Sequence, residues 1–356
     1  MTHNLEEILS KISSIIDKKN SIPKGYVELE DIMMADSEQD PLYDKKPFKE
    51  INAYNLDDIK HLKMDIESSL FGVDGSSKSV VDTNEFAILM CRIVGTNLKK
   101  RYISEYISFA YLENEKEYVL EHYFIRGMRL FDDGKIGNFD AYDTRYTFKG
   151  KRADPKEIAS ILRKFGEWKI VEKIMEEEEN AIIIKDGGLH STVKEESHLI
   201  NEVIKKQRDN LFAGLIKNNL LITTTGRNLI YDAMIYVESK YEYKRWLFGE
   251  IAIGKYDIHP AKIFIAKFHE SSRPYRIDIP KSLEKDNVIE LINAISLYTN
   301  DSDFLGYPYI LVMADRESNI KDHEIIKYKN ALLYKSKKLR EMDKLFEDIH
   351  KMLWKM

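Results

Sequence analysis

Cysteine is almost missing from this chain: Cys91 is the single one among 356 residues. One thiol forms no internal disulfide, and a zinc site built on cysteines is excluded. Cys91 sits inside the apolar string FAILMCRIV and reads as a core residue. Long apolar runs are lacking too. No stretch approaches the roughly 18 residues of a membrane span, and the N-terminal MTHNLEEILSKISSIIDKKN has no apolar signal core. The expected location is the cytoplasm, with no membrane partner. Signature motifs are equally scarce: no P-loop, no GxGxxG after a strand, no GxSxG elbow and no HExxH. The nine histidines form no close metal-ligating pair, and His190 and His198 read as surface or turn residues. A formal charge of −5 argues against a generally basic nucleic-acid coat. It leaves room for a local basic groove, since residues 321–356 carry ten Lys or Arg against six Asp or Glu.

What is present is a globular composition. An apolar fraction of 43%, with 21 tyrosines and 15 phenylalanines, suffices for a substantial core in one large α/β domain or two smaller ones. Residues 4–18 have the pattern of an amphipathic helix, and a short helix is expected near Asn55–Ile66. SLFGVDG, EFAILMCRIVG and YISEYISFAYLEN then read as a meander of antiparallel strands. The polar stretch 115–152 reads as an insertion or long loop. From Asp154 the pattern turns to β-α alternation. Asp154 and Pro155 open a helix through RKFGEWK; strand AIIIKD, helix EESHLINEVIKKQRDN, strand FAGLIK and helix NLIYDAMIYVESKY follow. Strands LFGEIAIG, AKIFIAKF and YRIDIP precede a helix at DNVIELINAISLY. YPYILVMAD reads as a last strand before a long C-terminal helix, whose apolar stripe (Ile325, Leu332, Leu339, Phe346, Leu353) suits packing on the body or on a dimer mate. The expected fold is α/β, a mixed sheet with helices on its faces.

Two strings carry chemistry: FGVDGSS and AIIIKDGGL. Each is an apolar run that reaches an aspartate, Asp74 or Asp186, and then glycine, which frees the backbone beyond a strand tip. Glu167 lies on the helix preceding the second string, and Asp315 ends YPYILVMAD. Carboxylates converging from separate elements suit Mg²⁺ or Mn²⁺, which prefer oxygen ligands. A pair of such ions serves phosphodiester hydrolysis. Each residue also has a plain structural reading: Asp before Gly is an ordinary turn former, Glu167 a helix surface residue, and Asp315 a helix cap. Lys217, closing FAGLIK, is placed to orient a water or a scissile phosphate, or else faces solvent. Asp278 in YRIDIP resembles an edge-strand ending before Pro280.

These strings together resemble the NurA nucleases over most of residues 66–320. The matching stretches are FGVDGSS, SILRKFGEWK before AIIIKDGGL, FAGLIKNNLL, IFIAKFHESSRPYRIDIP and GYPYILVMAD. The resemblance implies an RNase H-like core and a manganese-dependent DNA nuclease acting on single strands and on 5′ ends of duplexes. It implies a homodimer working with the hexameric ATPase HerA in resection of double-strand breaks. By position Asp74, Glu167 and Asp186 become metal-binding acids and Lys217 a supporting cation, with Mn²⁺ or Mg²⁺ as cofactor. Asp315 stands where many relatives have histidine, KDGGL replaces the usual DGSL, and Glu172 competes with Glu167 as third acid. The chain then divides into an extension (1–65), a nuclease domain (66–320) with an insertion near 115–152, and a C-terminal helix (321–356). Two other readings stay open: a non-catalytic nuclease-fold scaffold, and an actin- or sugar-kinase-like ATPase, for which the second half lacks an adenosine-binding glycine pair.

Overall fold

The computed structural model describes residues 29–30, 43–58, 70–143, 146, 151–191, 194–217, 221–223, 226–255 and 259–335. The expected N-terminal helix, most of that expected near Asn55–Ile66, and the C-terminal helix beyond Lys335 lie outside the described residues. In chain order the elements are β1 (Leu29–Glu30), β2 (Tyr43–Lys45), β3 (Ala53–Asn55), β4 (Leu70–Asp82), β5 (Phe86–Thr96), β6 (Arg101–Asn114), β7 (Glu117–Gly127) and β8 (Gly134–Asp140). Then come α1 (Pro155–Glu177), β9 (Ile182–Asp186), α2 (Lys194–Lys205), β10 (Leu211–Ile216), β11 (Ile222–Thr223), α3 (Leu229–Tyr241) and β12 (Trp246–Gly254). The chain continues through β13 (Ala261–Lys267), β14 (Tyr275–Pro280), α4 (Lys285–Leu297), α5 (Tyr309–Ser318) and α6 (Asp322–Lys335). No described helix is long and apolar enough to cross a membrane.

Two compact units result. The first comprises Met64–Asp186, Ser191–Phe212 and Tyr309–Met356. Its sheet runs β8-β7-β6-β5-β4-β9. Strands β4 to β8 pair antiparallel in succession, and β9 joins the far side of β4 in parallel, from Leu70↔Ile182 to Val73↔Lys185. β10 starts beside β9, the Leu211 N–H bonding the Ala181 carbonyl at 2.8 Å. A three-strand meander, a helix, and then a strand parallel to the first is the RNase H-like arrangement, here within a mixed α/β sheet flanked by helices. Ile182, Ile183 and Ile184 are all buried, as a parallel strand covered on both faces requires, each contributing about 1.5–3 kcal/mol.

Helix α1 begins where its sequence says. Asp154 accepts from the Lys156 N–H at 2.9 Å, and Pro155 takes the first turn. Its apolar side covers β5 closely: a Cβ on Gly95 would fall 2.5 Å from Ile170, and one on Gly166 would fall 2.7 Å from Ile93. Both positions therefore need glycine for packing rather than for backbone freedom.

Three local expectations are corrected. The segment expected as a loop contains β7 and β8, which extend the meander; the alternation in EYVLEHYFIRG buries Tyr118, Leu120 and His122. YPYILVMAD is not a strand: Tyr309–Ser318 is helical and buries Ile310, Leu311, Ala314 and Ser318, a helical spacing. Asp315 therefore lies within α5 and not at a strand end. Finally, β4 does not stop at Asp74. Its antiparallel partner β5 continues to pair with Gly75, Ser76 and Ser77, so the glycine there remains in the strand.

The second unit comprises Met1–Lys63, Gly187–His190 and Ala213–Pro308. Its sheet runs β2-β12-β13-β14-β10, with β3 also on β12 and a separate β1-β11 pair. Asn228 caps α3 through the Ile230 N–H at 2.9 Å. Leu229, Ala233 and Val237 of that helix pack with Phe48, Trp246 and Phe248. β14 pairs with β10 on one side and β13 on the other, so Asp278 is interior and 1% exposed, not at an edge.

Candidate active site

The parallel register of β4 and β9 ends at Val73↔Lys185, and the next residue on each strand is an aspartate. Asp74 and Asp186 thus occupy neighbouring positions at one place in the sheet. Asp74 is buried, and its Oδ1 accepts the Gly75 N–H at 2.7 Å. Its neighbours on the same face both meet α5. A Cβ on Gly72 would fall 2.5 Å from the Ile310 carbonyl oxygen, and Ser76 Oγ donates to the Ser318 carbonyl at 2.6 Å. Side chains alternate along a strand, so Asp74 faces α5, and so does Asp186 across the ladder. Asp315 is an exposed residue of that same helix.

Glu167 arrives on the other face, from α1. It is 2% exposed, and a Cβ on Gly75 would come within 2.9 Å of its Oε1. Both carboxylate oxygens are engaged. Arg163, one helical turn earlier, bonds Oε1, and Lys185 Nζ lies 2.6 Å from Oε2. Arg163 also donates to the Gly75 carbonyl at 3.3 Å. Lys185 Nζ donates to the Asp186 carbonyl at 2.8 Å and stands 5.1 Å over the Trp168 ring. Trp168 Nε1 in turn donates to Glu196 at 3.1 Å. The Glu167 carboxylate raises the Arg163 pKa against the opposing effect of burial, with Asp74 adding to the rise. Cys91 nearby is fully buried, and burial pushes its thiol up to about 12, as an inert core residue requires.

Glu172 is committed elsewhere. Burial works against its ionisation, but Lys169 and Lys206 outweigh that and hold its pKa below the ordinary value. Lys217 belongs to the second unit, where its Nζ lies 5.4 Å over the Tyr307 ring.

The donor chemistry suits a hard divalent ion, since all three acids offer oxygens alone. Among the described residues, however, no three His, Cys, Asp or Glu side chains form a group able to hold a metal ion. Strand alternation gives the reason: the two aspartates face α5, while Glu167 lies towards α1 with both oxygens on resident cations. The residues fit an ion held by Asp74 and Asp186, which Glu167 joins only by releasing a cation.

Lys185 and Arg163 are contacts that the sequence reading missed. Their signals were present: Arg163 precedes Glu167 by four residues on a helix, and Lys185 interrupts an otherwise apolar strand. Asp278 was also underrated. Arg276, two residues before it on the same strand face, grips it in a fork (Nε to Oδ1 2.7 Å, Nη2 to Oδ2 3.1 Å), and the Leu189 N–H donates to Oδ2 at 3.1 Å.

Comparison with known proteins adds the family. The NurA domain model matches residues 68–320. The crystal structure of the NurA nuclease from Sulfolobus solfataricus aligns over 94% of this chain and 97% of its own, with a TM-score of 0.50 at 15% identity. A second crystal structure of NurA covers 75% of this chain and 88% of its own, with a TM-score of 0.45 at 10% identity. At such identity the first of these is a likeness of fold. No curated protein sequence matches.

Proposed function

The chain belongs to the NurA family, and on that premise we propose that it is a metal-dependent DNA nuclease hydrolysing phosphodiester bonds. The single observation that carries the reading is the juxtaposition of Asp74 and Asp186 on adjacent parallel strands, with Glu167 against the intervening Gly75. Asp74 and Asp186 would hold Mn²⁺ or Mg²⁺, and Glu167 is the third acid of the cluster. When bound, such an ion supplies an activated water and offsets charge at the scissile phosphate. The chain's own part is to fix the acids. The sheet register holds the two aspartates side by side, Gly75 N–H orients Asp74, and Arg163 with Lys185 keeps Glu167 ionised in a buried position. Lys217 enters as a supporting cation and Asp315 as an acid on the helix facing Asp74. In the cell the proposed role is single-strand endonuclease and 5′–3′ exonuclease action in end resection, as a homodimer with a HerA-type hexameric ATPase.

The test is incubation of end-labelled single- and double-stranded DNA with Mn²⁺, wild type against Asp186→Asn and Asp74→Asn. The expected outcome is cleavage by wild type and a loss of roughly a thousandfold or more in each variant, for an acid that holds the ion. Equal rates in all three proteins would remove these residues from the mechanism. The absence of any wild-type cleavage, alone or with the motor, favours the scaffold reading.

A further inference from the structure

Lys185 sits where a catalytic cluster of acids would have least use for a lysine unless its charge is wanted. Its side chain is 7% exposed, and burying an ammonium is costly unless it is fully paired. Here the pairing is complete in kind: a carboxylate at 2.6 Å, a backbone carbonyl at 2.8 Å and an aromatic face at 5.1 Å. The carboxylate is Glu167 and the carbonyl is that of Asp186, so the ammonium bridges two of the three acids of the proposed site. Three acids against Lys185 and Arg163 leave one net negative charge. That remainder matches one divalent ion better than two.

Resting on the nuclease reading of the same site, we propose that Lys185 is a resident cation, its ammonium filling at Glu167 the place of a second divalent ion so that the site takes one. Lys185 is on this view a positioning residue: it acts through Glu167 and on the number of ions, not on the scissile bond. A purely structural ion pair tying β9 to α1 would affect stability alone and leave the ion count untouched.

The experiment is a Mn²⁺ titration of the full chain followed by the electron paramagnetic resonance of free Mn²⁺, with far-UV circular dichroism as the check of folding. Wild type is expected to bind one ion per chain. Lys185→Gln, or the similarly sized Lys185→Met, is expected to take a second ion about tenfold or more tighter than any second binding in wild type, for removal of a unit charge beside the carboxylate. Lys185→Arg is expected to restore the single ion. Glu167→Gln should leave the first ion's affinity within about threefold, whereas Asp74→Asn should weaken it tenfold or more. Two ions bound by wild type overturn the proposal whatever the variants do, as does a folded Lys185→Gln protein with the wild-type count and affinity. A wild type that binds no Mn²⁺ and cleaves nothing overturns the nuclease reading itself, and the role of Lys185 with it.

Discussion

The same dipeptide, Asp-Gly, occurs after two apolar strand segments, and the chain does different things at each. After Asp74 the backbone stays extended, because β5 offers Ile93, Arg92 and Cys91 as partners to Gly75, Ser76 and Ser77. After Asp186 the strand ends and Gly187 turns with φ of 89°, its N–H bonding the Leu215 carbonyl at 2.9 Å. Gly75 is small so that Glu167 can lie against it, whereas Gly187 supplies a backbone conformation that other residues rarely adopt. What decides between strand and turn is the length of the neighbouring strand, which no local pattern contains.

The contrast is sharpest downstream of Asp186, where the turn is anchored by a buried carboxylate instead of continuing as a strand. Asp278 accepts the Leu189 N–H and the Arg276 fork, so its removal strands a buried guanidinium. Asp278→Ala is therefore expected to destabilise the protein by about 3–5 kcal/mol, the cost of breaking a buried pair on one side. Urea unfolding measures it. A loss within about 1 kcal/mol would mean that the turn needs no such anchor.

The architecture was largely legible, the contacts were not. Asp154-Pro155 announces α1, Asn228 announces α3, and the three isoleucines of β9 read as a buried parallel strand; all depend on residues close in sequence. The apolar run Tyr307–Asp315 is ambiguous by nature, since a short apolar stretch suits a buried strand or a helix, and α5 is the helix. Asp278 looked like an edge residue because Pro280 follows it, while its neighbours β10 and β13 lie far off in sequence. The adjacency of Asp74 and Asp186 was expected from the pattern. The commitment of Glu167 to Arg163 and Lys185 depends on which face each side chain takes in the assembled sheet.

Acid sharpens the comparison further, because the turn after Asp186 also places His190 in a stack with His259, ring centroids 5.9 Å apart. Burial lowers the His259 pKa from its ordinary 6.5 to about 4, with the His190 imidazolium, Arg276 and Lys281 also lowering it and Asp278 opposing. The unfolded chain then binds the proton first. Stability from this group is complete above pH 6.5 and is lost as pH falls towards 4, by up to about 3 kcal/mol. The expected result is that the unfolding free energy of wild type minus that of His259→Gln shrinks by about 2–3 kcal/mol between pH 7.5 and 4.5. A difference that does not move with pH would show His259 titrating normally in the fold.

The smallest effect separates the two glycines themselves. Gly187→Ala is expected to cost about 1–2 kcal/mol, the strain of an alanine at positive φ. Gly75→Ala is expected to cost a similar amount for another reason: its Cβ would lie 2.9 Å from Glu167 Oε1 and 3.0 Å from Arg163 Cγ, in a carboxylate pinned from two sides. Alanine alone therefore does not tell them apart. Asparagine does, because it tolerates the left-handed region better than alanine but is larger. Gly187→Asn is expected to be milder than Gly187→Ala, while Gly75→Asn is worse than Gly75→Ala, since added volume finds Glu167 in the way. Melting temperatures of the four variants give the ranking. The same order at both positions would mean that the two Asp-Gly segments obey one constraint, and the distinction between a packing glycine and a turning glycine would fall.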